Sequence, residues 1–356
     1  MTTAYINRVA TAVPPHDVHA AFLQFAESML SDPREIGVFR RMAAKAGIDH
    51  RYSFLAPSPD PTGESIDASC FYAPGRFPGT GARMRLFRER APALATDTVD
   101  RLQLGPDRAT LTHLLVTTCT GLSSPGIDLE LLERCQLPSS IERSVIGFMG
   151  CYAAINALRL ARHLVRSDPA ARVLVVNLEL CTLHLQECTG LEKILSFLLW
   201  GDGCAASLVT AEPIGLALES FSALLVPDTC DLITWNIGDS GFDMVLSGQV
   251  PSTIREALSS RKVEILNGVA PGAVDHWAIH PGGRTVLDAV EHAFDLGPAA
   301  LSASREVLRR YGNMSSATVM FVLAELMKFA RRGDTGCAMS FGPGLVAETM
   351  LFRGVG

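Results

Sequence analysis

Cys151 is the residue of this chain best placed for covalent chemistry. It lies in Ser144-Val-Ile-Gly-Phe-Met-Gly-Cys151-Tyr-Ala-Ala-Ile-Asn-Ala-Leu158, where an apolar strand pattern runs into glycines and a cysteine opens a helix. A thiol there meets the positive end of the helix dipole and free backbone N–H groups, which favour thiolate and make a nucleophile. The alternative is a buried structural cysteine, a common state for this residue type. A nucleophilic thiol needs a proton partner and donors for the charge that develops on its electrophile. His280 fits the first need, because it ends the strand pattern of His276-Trp-Ala-Ile-His280-Pro-Gly-Gly283, and strand ends are where α/β proteins gather catalytic groups. His276 lies inside that strand and reads as a packing residue. Asn313, in Tyr311-Gly-Asn313-Met-Ser-Ser316, is either the cap of the apolar helix that follows or a fixed, unionisable donor for an oxyanion or enolate. Two glycine loops, Trp200-Gly-Asp-Gly203 and Ser340-Phe-Gly-Pro-Gly344, fit neither a dinucleotide-binding nor a P-loop pattern and read as turns.

Bringing these residues together requires a frame that folds back 280 − 151 = 129 and then 313 − 280 = 33 residues. Apolar runs of strand length at Leu111–Thr118, Val145–Ile146, Arg172–Leu180, Ala205–Val209 and Val274–His280 alternate with helical patterns. The helical patterns cover Tyr152–Val165, Glu192–Leu199, Thr285–Phe294, Ser302–Arg310 and Ser315–Phe329, and strands at Gly336–Phe341 and Val346–Phe352 close the chain. Such alternation predicts α/β layers around buried, partly parallel sheets. The Pro/Gly-rich stretch from Pro57 to Gly79 predicts an ordered surface excursion inside the first half, and a boundary falls near Glu212-Pro-Ile-Gly215.

The chain has 356 residues, 48% of them hydrophobic, and a formal charge of 31 − 37 = −6. That excludes disorder, coiled coil and collagen, and offers no global field for nucleic acid. Nine cysteines without a CxxC pair argue against a disulfide scaffold or a zinc ribbon. The amino terminus lacks the features of a secretory signal, which points to the cytoplasm. The most apolar uncharged stretch, Ser144–Leu158, is shorter than the about twenty residues that span a bilayer, so no membrane span is expected.

Taken together, Cys151 in GFMGCYAA, His280 in IHPGG, Asn313 in YGNMSS, the WGDG segment and the SFGPG loop resemble the type III polyketide synthases, the chalcone synthase-like branch of the thiolase superfamily. The similarity runs from Thr11-Ala-Val-Pro-Pro15 to the last strand. It implies a five-layered αβαβα thiolase fold with two pseudo-equivalent halves, residues 1–212 with the cysteine and 213–356 with the histidine and asparagine. It also implies a homodimer and no metal or organic cofactor, coenzyme A thioesters serving as substrates. By resemblance, Cys151 takes an acyl starter from coenzyme A, and His280 helps keep the thiolate charged. With Asn313 it stabilises the enolate formed when malonyl-CoA decarboxylates, and that enolate attacks the acyl group.

The resemblance also assigns substrate contacts. Arg41 and Lys45 match basic positions of the coenzyme A tunnel, while Val38 stands where many relatives have lysine. Trp200 and Met244 take the places of two gatekeeper phenylalanines, with Phe242 close to the second. Cys119, Thr120, Cys181, His184, Trp235 and Ser315 fall on cavity-lining positions. Trp235 replaces a glycine of chalcone synthases, which argues against an aromatic coumaroyl starter. The Glu179–His184 run resembles bacterial members that use fatty acyl or malonyl starters and make alkylpyrones, alkylresorcinols or small phenolic rings. Ketoacyl-ACP synthase III shares the Cys, His and Asn, but its contexts are HQAN and GNTS, not the HPGG and GNMSS found here. A non-catalytic acyl-CoA-binding paralogue is the alternative outside enzymes.

Overall fold

In the computed structural model, which describes residues 2–356, nine strands join into one mixed sheet and two more form a separate hairpin. In chain order they are β1 (Tyr5–Ala12), β2 (His113–Thr118), β3 (Glu142–Gly147), β4 (Val173–Leu180), β5 (Asp202–Thr210) and β6 (Leu216–Leu225). The hairpin is β7 (Ile233–Gly238) with β8 (Gly241–Leu246), while β9 (His276–Ile279), β10 (Thr335–Gly342) and β11 (Val346–Gly354) complete the large sheet, and the two-residue strands His16–Asp17 and Tyr52–Ser53 pair with each other apart from it. The order across the large sheet is β9-β10-β11-β6-β1-β5-β4-β2-β3. Pairing is parallel toward both outer edges and antiparallel toward the middle. The two halves meet at a narrow seam, where β1 pairs with β6 through Tyr5 and Ile6 but with β5 along its full length.

Side chains alternate across each strand, and that alternation sorts the layers. Val173 and Val175 of β4 face the core that holds Leu158 of the Ala153–Ser167 helix and Met320 of the Thr318–Leu326 helix. Ala338 of β10 reaches the same core from the other half, so these two helices form a middle layer. Leu174 and Val176 point the opposite way, against Ala91, Leu94 and Val99 of the Thr80–Arg101 helix. On the outer face of the second half, Ile254 and Leu287, from the Val250–Ser260 and Arg284–Phe294 helices, pack on Trp277 and Ile279. The result is the five-layered αβαβα arrangement. Deleting one of these fully buried side chains, as in Leu174→Ala, costs about 2–5 kcal/mol.

Several elements go beyond the sequence expectations, among them the central strand β1 and the Val250–Ser260 helix, and three bear on the site. The Thr80–Arg101 helix was not anticipated, because Pro92 and a run of arginines interrupt its apolar pattern, although Pro92 itself is buried inside it. The helix expected from Ser315 begins at Thr318, after a 3₁₀ turn at Ser315–Ala317 in which Ser315 has φ 45°. The β7–β8 hairpin turns through Asp239 and Ser240, with Gly238 opposite Gly241. The Pro57–Gly79 excursion is ordered around Asp67, whose carboxylate accepts from the main-chain N–H groups of Ser69, Phe71 and Tyr72. Among the described residues no helix is long and apolar enough to cross a membrane.

Candidate active site

Close backbone packing delivers the three reactive side chains to one pocket. Cys151 sits in a 3₁₀ turn, Gly150–Tyr152, between the end of β3 and the Ala153–Ser167 helix. Gly150 has φ +72°, and a β-carbon there would stand 2.5 Å from Pro343 Cδ, so the Ser340–Gly344 loop presses directly on the cysteine turn. His280 follows β9, its N–H bonded to Met339 O at 2.8 Å. Asn313 is tied to the Trp200 segment: its N–H donates to Leu199 O at 2.7 Å, and its carbonyl accepts from Gly201 N at 3.0 Å. Gly201 and Gly312 permit this crossing, since β-carbons on them would lie 2.6 Å from Tyr311 O and Leu199 O respectively. The two glycine segments that read as simple turns are the packing contacts of the site.

Hydrogen bonding also orients the asparagine. Oδ1 accepts from Ser315 N at 2.9 Å, which leaves Nδ2 as the donor end, 3.4 Å from Gly282 O. Burial pushes the Cys151 thiol up to about 12, against which the Ser315 and Asn313 side chains and the cysteine's own N–H pull downward. Desolvation thus opposes the thiolate that the helix dipole favours, because the sulphur lies in the turn before the Ala153–Ser167 helix. Burial likewise drives His280 down to about 3, and among the described residues neither ring nitrogen has a hydrogen-bond partner. A half-buried thiol thus shares its pocket with a buried neutral imidazole that is free to take or give a proton.

Of the other residues singled out in the sequence, Cys119, Thr120, Cys181, Trp200 and Ser315 line the same pocket, of about 650 Å³ including some open solvent. Trp235 and Met244 also line it, directly opposite each other in the β7–β8 register. Trp235 is fixed there by a 2.8 Å bond from Nε1 to Cys119 O. A wide groove of about 1670 Å³, largely open, runs from Lys45 and Arg284 inward. Leu246, Val250, Gly282 and Val286 line both spaces, so the groove leads to the cysteine pocket.

The family model for chalcone and stilbene synthases matches this chain twice, the N-terminal domain at residues 10–213 and the C-terminal domain at residues 217–356. The chain belongs to the chalcone and stilbene synthase family. It is 35% identical to the alpha-pyrone synthesis polyketide synthase-like Pks18 of Mycobacterium tuberculosis, over 99% of this chain and 91% of that protein. It is 32% identical to the bisdemethoxycurcumin synthase of Oryza sativa, over 88% of this chain and 82% of that one. Among solved structures, PKS-I of the brown alga Ectocarpus siliculosus superposes with a TM-score of 0.86 at 27% identity, covering 100% and 99% of the two chains. The C-terminal type III polyketide synthase domain of Steely1 from Dictyostelium shares the fold, with a TM-score of 0.90 at 22% identity over 99% and 100%. The protein is a type III polyketide synthase, a condensing acyltransferase.

Two expected contacts of the synthase lie elsewhere. His184 stands behind the pocket wall, its Nε2 2.7 Å from Thr120 O, its Nδ1 accepting from Phe242 N at 3.1 Å, and its ring stacked on Phe242 at 4.2 Å. It shapes the wall by holding Phe242, and burial lowers it to about 3. Arg41, one helical turn before Lys45, is exposed and does not line the groove that Lys45 borders. One buried residue went unassigned in the sequence. Glu179 accepts from Cys119 N at 3.0 Å, from Thr120 Oγ1 at 2.9 Å and from Ser316 Oγ at 2.5 Å, and burial raises it. Its signal was a lone acidic residue inside the apolar β4 run. Among the described residues no group of three His, Cys, Asp or Glu stands close enough to hold a metal.

Proposed function

We propose that this synthase loads an acyl group from coenzyme A onto Cys151 and extends it with malonyl-CoA, with His280 and Asn313 as the partners of that chemistry. The observation that carries the reading is the convergence of Cys151, His280 and Asn313 on one buried pocket at the end of a groove bordered by Lys45. In loading, His280 takes the thiol proton and the sulphur attacks the thioester carbonyl. The bond to the coenzyme A sulphur breaks, and that thiolate leaves with the proton. In extension, the malonyl carboxylate departs as carbon dioxide and its electron pair becomes an enolate. Neutral His280 and the Asn313 Nδ2 donate to the enolate oxygen, each such donor worth about 3–4 kcal/mol in a preorganised, dry site. The enolate carbon attacks the acyl carbonyl on Cys151 and releases the thiolate. The Trp200 wall keeps water from the carboxylate that must leave.

Coenzyme A thioesters enter as substrates, no further cofactor takes part, and Lys45, with Arg41 behind it, attracts the phosphates at the groove mouth. Trp235 closes the wall to a flat aromatic starter, which favours aliphatic acyl or malonyl priming and a pyrone, resorcinol or other phenolic product. A homodimer is supported by the edge strand β3, whose outer edge has no strand neighbour among the described residues, and by exposed Val145, Leu122, Leu129 and Met149 around it. The nine free thiols suit the reducing cytoplasm. The test is to separate the two half-reactions. Cys151→Ala should abolish condensation yet still release carbon dioxide from malonyl-CoA, whereas Asn313→Ala should depress that release about 10²–10³-fold. Condensation by Cys151→Ala would remove the cysteine from the role.

A further inference from the structure

A buried cation lies behind the Trp200 wall of the pocket. Arg51, 2% exposed, precedes the Tyr52–Ser53 strand, and its side chain reaches the end of the Leu191–Phe197 helix. Carbonyls at a helix end have no intrahelical donor, and cations are favoured there. Arg51 Nη1 donates to Phe197 O at 3.0 Å and to Trp200 O at 2.7 Å. Its Nε donates to His19 Nδ1 at 3.0 Å. Burial, and after it the Arg51 charge, hold His19 down to about 4, so the ring is neutral and accepts. Among the described residues Nη2 has no partner, and the guanidinium makes no hydrogen bond to a carboxylate. The charge is directed at main-chain carbonyls instead of an ion-pair partner.

The same side chain touches the Asn313 segment. Trp200 and Asn313 are bridged in parallel through Asn313 N to Leu199 O and Gly201 N to Asn313 O. A β-carbon on Gly312 would stand 2.8 Å from Arg51 Cγ and 3.0 Å from Cδ, so the arginine stem lies against Gly312. One on Gly201 would stand 3.6 Å from Arg51 Cβ. Arg51 therefore meets both sides of the crossing, by hydrogen bond on the Trp200 side and by packing on the Asn313 side. The far end of the Trp200 segment is fixed separately, where Asp202 accepts from Thr182 N and Oγ1 at 2.8 Å each.

Resting on the synthase reading above, we propose that Arg51 is a positioning residue for malonyl decarboxylation, holding the Trp200 wall and the Asn313 donor in register and acting through them. Loading of Cys151 makes no use of that register. A displacement of about 1 Å in such a site costs about 10²-fold in rate, so carbon dioxide release should depend on Arg51 and acyl transfer should not.

The test takes the full-length protein and its Arg51→Met and Arg51→Lys variants through both half-reactions, normalised to the fraction of Cys151 that accepts a hexanoyl group from hexanoyl-CoA by intact mass. In Arg51→Met the kcat for carbon dioxide release from malonyl-CoA should fall about tenfold to 10²-fold, with its KM and the rate of Cys151 acylation within about threefold of wild type. Arg51→Lys should recover about tenfold of a 10²-fold loss, because both carbonyls are met by the single nitrogen Nη1 and one Nζ can take its place. Equal losses in the two half-reactions, carbon dioxide release unchanged in Arg51→Met, or no recovery by lysine overturns the proposal. If Arg51→Met does not fold, His19→Leu decides, since it removes only the Nε acceptor: it should slow carbon dioxide release and leave acylation unchanged, and unchanged release overturns the proposal. Should the wild type release no carbon dioxide, the synthase reading fails separately. Acrylamide quenching in a Trp235→Phe background then reads the wall itself, because Trp277 is 2% exposed. Arg51→Met should raise the quenching of Trp200, and equal quenching overturns the positioning role.

Discussion

Removing His280 should expose how strongly burial opposes ionisation of Cys151. With the thiol at about 12, its thiolate fraction at pH 8 is about 10⁻⁴, whereas an unperturbed thiol at about 8.5 is about one quarter ionised. In His280→Ala nothing in the pocket replaces the imidazole as proton acceptor. Alkylation of Cys151 by iodoacetamide should then run about 10³-fold or more below that of an unperturbed thiol, climbing about tenfold per pH unit toward pH 10. In the wild type the imidazole takes the thiol proton as the electrophile arrives, so the rate should exceed the variant's by about 10²-fold at pH 7 and change little between pH 7 and 9. Peptide mass spectrometry follows Cys151 against the exposed Cys70 and Cys230 in the same sample. Identical rates and pH profiles in the two proteins would show that the imidazole does not activate the sulphur.

Gly312→Ala should be severely destabilising, losing about 3 kcal/mol or more in denaturant melts, because the new β-carbon meets Leu199 O at 2.6 Å on a φ of +67°. Gly333→Ala, at φ +96° with nothing within 4 Å, should cost only the about 1–2 kcal/mol of left-handed strain. Trp235→Gly removes an indole bonded to Cys119 O. It should lower stability by about 2–4 kcal/mol and raise the kcat/KM of an aromatic starter relative to acetyl-CoA, an unchanged ratio arguing that Trp235 sets no limit. His184 is held at about 3 in the fold and near 6.5 when unfolded, so its burial carries no penalty above pH 6.5 and a growing one below. Measured against His184→Gln, the wild type should therefore lose about 1.4 kcal/mol per pH unit from pH 6 to pH 4, and parallel stability curves would contradict a neutral buried His184.

The reactive residues were legible because their local patterns are strict. An apolar strand ending in glycines before Cys151, a strand end at His280 and a glycine-flanked Asn313 each mark where a chain must turn sharply into a shared centre. The pairing of Trp200-Gly with Gly-Asn313 was not legible, since nothing local states that two glycine turns 113 residues apart (313 − 200) press together. The hairpin carrying Trp235 and Met244 has a readable turn, Gly238-Asp-Ser-Gly241, but its half-exposed strands lack the continuous apolar runs that mark the strands of the large sheet. The outward placement of His184 follows from a hydrogen bond to Thr120 O, a contact 64 residues away that no periodicity encodes. The ionisation of Cys151 likewise turns on burial, which depends on the whole pocket, whereas the sequence exposed only the helix that follows.

The most direct test of the central claim is a single incubation of the protein with carboxyl-labelled malonyl-CoA and an aliphatic acyl-CoA, with mass spectrometry of the products and of the Cys151 peptide. The account predicts acylated Cys151, loss of the carboxyl label as carbon dioxide, and a product two carbons longer per extension, all but the carbon dioxide abolished by Cys151→Ala. Acylation of Cys151 without any carbon–carbon bond, or extension that survives Cys151→Ala, would contradict it.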